Sequence, residues 1–267
     1  MALMHVTYFS QALAGQNDFY MAIPNDVPPF MMEGSPHYQR GMKTLMLLHG
    51  YGGGASDWVL GSSIQQLATR YHLAVIMPGG RNGFYLNQEA TGGQFATFVG
   101  EELLGYARRS FHLSEKREDT FIGGYSMGGF GALRTGLAYS HNYSKIAALS
   151  SALIIHQLKE LSPEAPSPMA NYAYYQQVFG DLKTAADRDC NPEVLICRKL
   201  AAGEPVPDIF LACGSEDTLV ETNRAFRDFL KEKGVAAQYH ESAGNHDWTF
   251  WNQYLEPAIR WMLGQDG

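Results

Sequence analysis

Gly124-Tyr125-Ser126-Met127-Gly128 decides the reading of this chain. Before it, Asp119-Thr120-Phe121-Ile122-Gly123 is a short run suited to a buried strand. After it, Gly129-Phe130-Gly131-Ala132-Leu133-Arg134-Thr135-Gly136-Leu137-Ala138 has helical spacing. A serine between strand and helix, with glycines on both sides, fits a sharp turn that lifts the side chain above the sheet. Its hydroxyl then lies near a helix N-terminus, where free N–H groups and the helix dipole favour negative charge. Ser126 is therefore the candidate nucleophile. A glycine-rich turn with an incidental serine would show the same five residues, but the flanking strand and helix favour the nucleophile.

Outward from this turn, strands alternate with helices. The pattern predicts strands over 43–48, 73–77, 120–124, 145–149, 208–213 and 236–241, and helices over 63–71, 97–110, 221–233 and 248–263. Two extended segments at the N-terminus, 5–13 and 18–23, flank Gly15-Gln16-Asn17 and read as an antiparallel hairpin at a sheet edge. This is an α/β chain with a mostly parallel central sheet and helices on both faces. Residues 155–207 break the rhythm with Pro163, Pro166, Pro168, Pro192, Pro205 and Pro207, around a short aromatic helix at 172–180. Two readings stand for this insert: a surface excursion packing its aromatics on the core, or a cap over the site.

Composition bounds the rest. The 267 residues fit one large α/β domain, and 45% hydrophobic content can build a substantial core. A net charge of −7, with no run of like charges, argues against a nucleic-acid or anionic-membrane partner. No stretch approaches the ~20 apolar residues of a membrane span. The N-terminus lacks the basic start and apolar core of a signal peptide, so a cytoplasmic location is expected. The odd set Cys190, Cys197 and Cys213 suggests no disulfide framework and lacks zinc-type spacing. The oligomeric state stays open, a homo-oligomer included.

A serine at neutral pH needs a base, and the base needs an orienting partner. The chain order expected after such a turn is serine, acid, histidine. The strand ending at Cys213 runs into Gly214-Ser215-Glu216-Asp217, so the acid is Asp217 or Glu216. Asp217 is favoured because it precedes the turn into the next helix, which it could also cap. His246, on the loop after the last strand, is the candidate base, while His240 lies within that strand. An oxyanion hole needs N–H donors, one from Met127 after the nucleophile and one from the loop His49-Gly50-Tyr51-Gly52-Gly53-Gly54. Tyr51 is the candidate donor there and Gly52 the next choice. His49 reads as pinning that loop. Phe84, Tyr85, Tyr174, Trp248, Phe250 and Gly52 are pocket candidates, with plain core packing the competing reading for the aromatics.

With these residues placed, the chain resembles the α/β-hydrolases, and within them the esterase D-like group of tributyrin, S-formylglutathione, feruloyl and acetyl ester hydrolases. The resemblance spans nearly the whole chain. It rests on Leu47-Leu48-His49-Gly50-Tyr51-Gly52-Gly53, Arg81-Asn82-Gly83-Phe84-Tyr85, Phe98-Val99-Gly100-Glu101-Glu102-Leu103, the Ser126 segment through Ala132, Cys213-Gly214-Ser215-Glu216-Asp217, and His246-Asp247-Trp248 with Trp251. It implies a Ser126, Asp217 and His246 triad that hydrolyses short acyl or aryl-acyl esters without a metal or organic cofactor. Tyr125 stands where thioester hydrolases acting on glutathione commonly carry histidine, which makes that activity the weaker expectation. The same scaffold could also serve an acyltransferase or, with lower expectation, a non-catalytic binding module.

Overall fold

The computed structural model describes residues 1–164 and 169–265. Pro166 and Pro168 of the insert lie outside the described residues. The described chain forms one eight-stranded sheet in the order β1-β2-β4-β3-β5-β6-β7-β8. The strands are β1 (Ala2–Ser10), β2 (Gly15–Ile23), β3 (Lys43–Leu48), β4 (Leu73–Pro78), β5 (Thr120–Tyr125), β6 (Lys145–Leu149), β7 (Asp208–Gly214) and β8 (Ala237–Ser242). β1 and β2 pair antiparallel, β2 joins β4 antiparallel, and all remaining pairs are parallel. This is the mostly parallel sheet with an N-terminal antiparallel hairpin expected from the alternating pattern, and the α/β-hydrolase arrangement that the resemblance implied.

The central strands are apolar on both faces because both faces are covered. Met46, Leu48, Ala74 and Ile76 join a core with Phe98, Leu103, Phe130, Leu133 and Phe226, from the helical segments on one side. Leu45, Leu47, Val75 and Met77 join a second core with Ile64, Leu67, Trp251, Leu255 and Ile259 on the other. Alternate residues of one strand thus feed opposite layers.

Three local features differ from the sequence expectation. The hairpin turns at residues 11–14, and Gly15, Gln16 and Asn17 belong to β2, paired with Ser10, Phe9 and Tyr8. Ala14 takes the left-handed turn position at φ 49°. The helix expected over 97–110 runs from Phe95 to Phe111 and contains a π turn at Phe98–Glu102. There the Gly100 carbonyl accepts from Asn142 Nδ2 (2.9 Å), and a Cβ on Gly100 would meet the Tyr139 ring at 2.4 Å. Finally, the insert holds an unexpected helix, Pro192–Ala202. Pro192 reads as a breaker in sequence, yet at the first helical turn its missing N–H costs nothing. Asn191 caps that helix by accepting from the Glu193 N–H, and Gly203 closes it at φ 67°.

Candidate active site

The C-terminal ends of β3, β5, β7 and β8 converge on one rim of the sheet. Ser126 follows β5 directly and adopts φ 54° and ψ −120° at the N-cap of helix Met127–Ala138. That backbone is strained for any residue with a Cβ. The surroundings hold it: Ser126 N–H donates to Leu149 O (2.9 Å) and Ser126 O accepts from Ala152 N–H (3.0 Å). The two flanking glycines are sterically required. A Cβ on Gly124 would sit 2.4 Å from Gly128 O, and one on Gly128 would sit 2.4 Å from Leu48 O.

His246 Nε2 lies 2.9 Å from Ser126 Oγ, and His246 Nδ1 lies 2.8 Å from Asp217 Oδ2. The carboxylate accepts only when Nδ1 carries the proton, which leaves Nε2 free to accept from the serine hydroxyl. Asp217 is buried, at 2% exposure. Burial pushes its carboxyl up, but hydrogen bonds from His246 and from the Leu219 N–H outweigh this and hold it below the usual carboxylate range. Glu216, the other candidate acid, points elsewhere: its carboxylate accepts from Gly244 N–H and Ser215 Oγ. Asp217 also turns the chain toward helix Val220–Glu232 through the Leu219 N–H bond (2.8 Å).

The loops carrying Asp217 and His246 are bound to each other. Ser215 N–H donates to Ser242 O (2.8 Å) and Glu216 N–H to Gly244 O (3.0 Å). The approach is so close that a Cβ on Gly214 would fall 2.1 Å from Gly244 O. Asp247 caps helix Trp248–Met262 by accepting from Phe250 N–H. The first turn of that helix sets Trp251 edge-on to the His246 ring, centroids 5.1 Å apart. The support from Trp251 was invisible in the sequence, although its spacing from His246 contributed to the resemblance.

The glycine loop after β3 makes a tight turn. Gly53 N–H returns to Gly50 O (3.2 Å), with Gly52 in the left-handed region at φ 78°. Gly52 N–H donates to Asn82 Oδ1 (2.8 Å) and Gly54 N–H to Asp57 Oδ1 (3.0 Å). Gly52, the second-choice oxyanion donor, is therefore already engaged. The Tyr51 amide takes none of these partners, and neither does the Met127 amide at the helix start. His49 is buried, donates from Nδ1 to Gly50 O (2.7 Å) and accepts at Nε2 from Gly80 N–H (2.8 Å). Burial lowers its pKa, so the ring stays neutral and pins the loop.

The pocket candidates divide. Phe84 (4% exposed) packs on Phe130 and Phe179, and Phe250 (1%) lies in the core beneath helix Trp248–Met262. Tyr85 is fully buried, and its hydroxyl accepts from His49 N–H and donates to His49 O. These three are core because the layers on both sides of the sheet need large apolar filling. Trp248 packs on Trp58, Tyr125 and Trp251, half-buried near the rim. Tyr174, on helix Tyr172–Phe179 of the insert, meets Tyr51 edge-on (5.6 Å) and donates to Asn82 O (2.6 Å). A cavity of about 700 Å³ lies between this helix and Arg134, Arg188 and Leu86, and neither Ser126 nor His246 lines it. Among the described residues no group of three His, Cys, Asp or Glu could hold a metal ion. No helix among them is long and apolar enough to cross a membrane.

A mostly parallel sheet with a serine on a strained strand-to-helix turn, and a histidine within hydrogen-bond reach of its hydroxyl, defines a serine hydrolase of the α/β-hydrolase fold. The family model described as "Putative esterase" matches residues 33–262, and the chain belongs to this esterase family. It is 41% identical over 262 residues to an acetyl esterase of Caldicellulosiruptor saccharolyticus, covering 98% of both chains. Two solved Staphylococcus aureus structures are similar over 98% of each chain. One is a fluorophosphonate-binding serine hydrolase, substrate bound (27% identity, TM-score 0.84), and the other an S-formylglutathione hydrolase (28%, 0.82). The protein is a serine carboxylesterase.

Proposed function

We propose that Ser126, His246 and Asp217 are the catalytic triad of an esterase that cleaves small acyl esters, acetyl esters foremost. The observation that carries this reading is the hydroxyl–imidazole–carboxylate chain, with contacts of 2.9 and 2.8 Å ending on a buried Asp217. Ser126 Oγ attacks the ester carbonyl as its proton passes to His246 Nε2. The carbonyl oxygen becomes an oxyanion held by the Tyr51 and Met127 amides. Asp217 stabilises the imidazolium by accepting from Nδ1. Collapse expels the alcohol with the proton from Nε2 and leaves an acyl group on Ser126. Water, deprotonated by the same nitrogen, attacks that acyl carbonyl, and a second collapse returns the proton to Ser126 and frees the acid. The 41% identity to an acetyl esterase supports the preference for a short acyl group. The reading takes the chain as one hydrolase domain with residues 155–207 as an excursion from it, acting on a small-molecule ester. It includes a cytoplasmic location, for which the three free cysteines speak.

The test is a series of p-nitrophenyl acetate, butyrate and octanoate with a feruloyl ester, run on the wild type and Ser126→Ala. Acetate gives the highest kcat/KM, and Ser126→Ala loses about 10⁴-fold or more. Substantial activity in Ser126→Ala removes the nucleophile. A preference for octanoyl or feruloyl esters removes the substrate class.

A further inference from the structure

The segment between Gly80 and Tyr85 is held in an unusual backbone. Arg81, Phe84 and Tyr85 all have positive φ, at 48°, 51° and 54°. L side chains rarely adopt this region, and three such residues within five positions persist only where the surroundings enforce them. Every part of this segment that makes a polar contact to the oxyanion loop does so at the loop's base or turn. Gly80 N–H reaches His49 Nε2, the Tyr85 hydroxyl bridges His49 N–H and O, and Asn82 Oδ1 accepts from Gly52 N–H. The Asn82 carbonyl is gripped by the Tyr174 hydroxyl of the insert. Tyr174 also packs its ring against Tyr51.

We propose that Asn82 is a positioning residue for ester hydrolysis: by occupying the Gly52 N–H it fixes the loop so that the Tyr51 amide faces the acyl oxygen above Ser126. The inference rests on the proposed oxyanion role of Tyr51. The physical argument is geometric. A two-donor hole works only if both donors are aimed beforehand, and a glycine turn has many conformations of similar energy. With Gly54 N–H held by Asp57 and Gly53 N–H by Gly50 O, the Gly52 N–H is the remaining turn amide that could compete for the substrate oxygen. Asn82 removes that competitor. Tyr174 orients Asn82, so the insert contributes to the hole without touching the reacting atoms.

The experiment measures kcat and KM for p-nitrophenyl acetate, together with inhibition by a trifluoromethyl ketone that forms a tetrahedral adduct. Asn82→Ala lowers kcat by about 10- to 100-fold, less than the loss of a donor itself, with KM within about threefold of wild type. Affinity for the ketone falls in parallel with kcat/KM. Asn82→Asp keeps an acceptor oxygen at the same reach and recovers most of the loss. Tyr174→Phe slows the wild type several-fold and has no effect on top of Asn82→Ala, the signature of a shared path. A kcat within twofold of wild type in Asn82→Ala, a loss confined to KM, or an Asn82→Asp variant as slow as Asn82→Ala overturns the proposal. Fluorophosphonate labelling separates the two levels. Asn82→Ala labels Ser126 to completion but slowly, whereas a wild type that resists label removes the nucleophile reading and this proposal with it.

Discussion

The Tyr125 hydroxyl donates to Asp57 Oδ2 across 2.6 Å, joining the residue before Ser126 to the segment that follows the glycine loop. Asp57 passes the contact on, because its other oxygen accepts from Gly54 N–H. The fit is tight: a Cβ on Gly50 would meet the Tyr125 ring at 2.4 Å, and one on Gly53 would meet Asp57 Oδ2 at 1.9 Å. Burial and the carboxylate beside it raise the Tyr125 pKa far above the ordinary phenol range, so it remains a donor at any working pH. The turn bearing Ser126 and the loop bearing Tyr51 are thus bonded to each other as well as to the sheet.

Tyr125→Phe deletes that bond and keeps the ring stacked on Trp251 and against Trp58 and Trp248. The expected loss of stability is about 1.5–3 kcal/mol, typical for a hydrogen bond to a charged group. Urea denaturation measures it. An unchanged midpoint would show that water replaces the phenol without cost.

Gly128→Ala places a methyl against two backbone oxygens, Leu48 O at 2.4 Å and His49 O at 2.6 Å. Backbone cannot swing aside as a side-chain tip can. The variant either loses solubility or folds with Ser126 displaced, and fluorophosphonate labelling drops by at least about tenfold, one factor of ten for each 1.4 kcal/mol of misplacement. By contrast, Gly54→Ala, where a Cβ meets nothing within 4 Å, keeps near wild-type solubility.

His49 supplies a pH signature. Its folded pKa lies below the ordinary value of 6.5 because burial disfavours the charged ring. The unfolded chain then binds more protons than the folded one as pH falls through about 6.5, so stability declines toward acid and rises toward neutrality. Unfolding free energies taken between pH 5 and 8 should be less steep for His49→Gln than for the wild type. Equal slopes would mean that the folded ring takes up a proton without penalty.

Asp217→Asn keeps the shape of the acid but lets the imidazole adopt the wrong tautomer, since an amide N–H can donate to Nδ1. The expected fall in kcat is on the order of 10⁴-fold with the fold preserved by circular dichroism. Removing this carboxylate, whose folded pKa is depressed, also removes stability present above its unfolded pKa. In the wild type that contribution is lost only as pH drops through the still lower folded value. Acid unfolding of Asp217→Asn therefore differs from wild type in the free energy at neutral pH and converges with it in strong acid.

The order of elements was legible because the local pattern and the final environment agree. Strands such as Lys43–Leu48 and Lys145–Leu149 are, after their polar first residues, short apolar runs buried on both faces. The helix at Pro192–Ala202 was illegible for a specific reason: proline punctuates sequence in the same way whether it ends a helix or opens one. The aromatic residues near the site stayed open between core packing and a pocket role because a buried ring and a pocket-lining ring have identical local sequence. Only packing separates Tyr85, sealed against His49, from Tyr174, whose ring meets Tyr51 of the glycine loop.

The sequence alone determined which residue types were available for nucleophile, base and acid, and on which strand ends they lay, because period, glycine spacing and chain order are local properties. It left Glu216 beside Asp217 and Gly52 beside Tyr51, neighbours whose side chains or amides point in different directions once the backbone turns. The tertiary structure sends them apart: Glu216 accepts from Gly244 N–H while Asp217 faces His246, and the Gly52 amide donates to Asn82, the first and last of these being contacts across 28 and 30 residues of chain. Hydrogen-bond direction at that separation depends on how the loops pack over the sheet, and no local pattern encodes it.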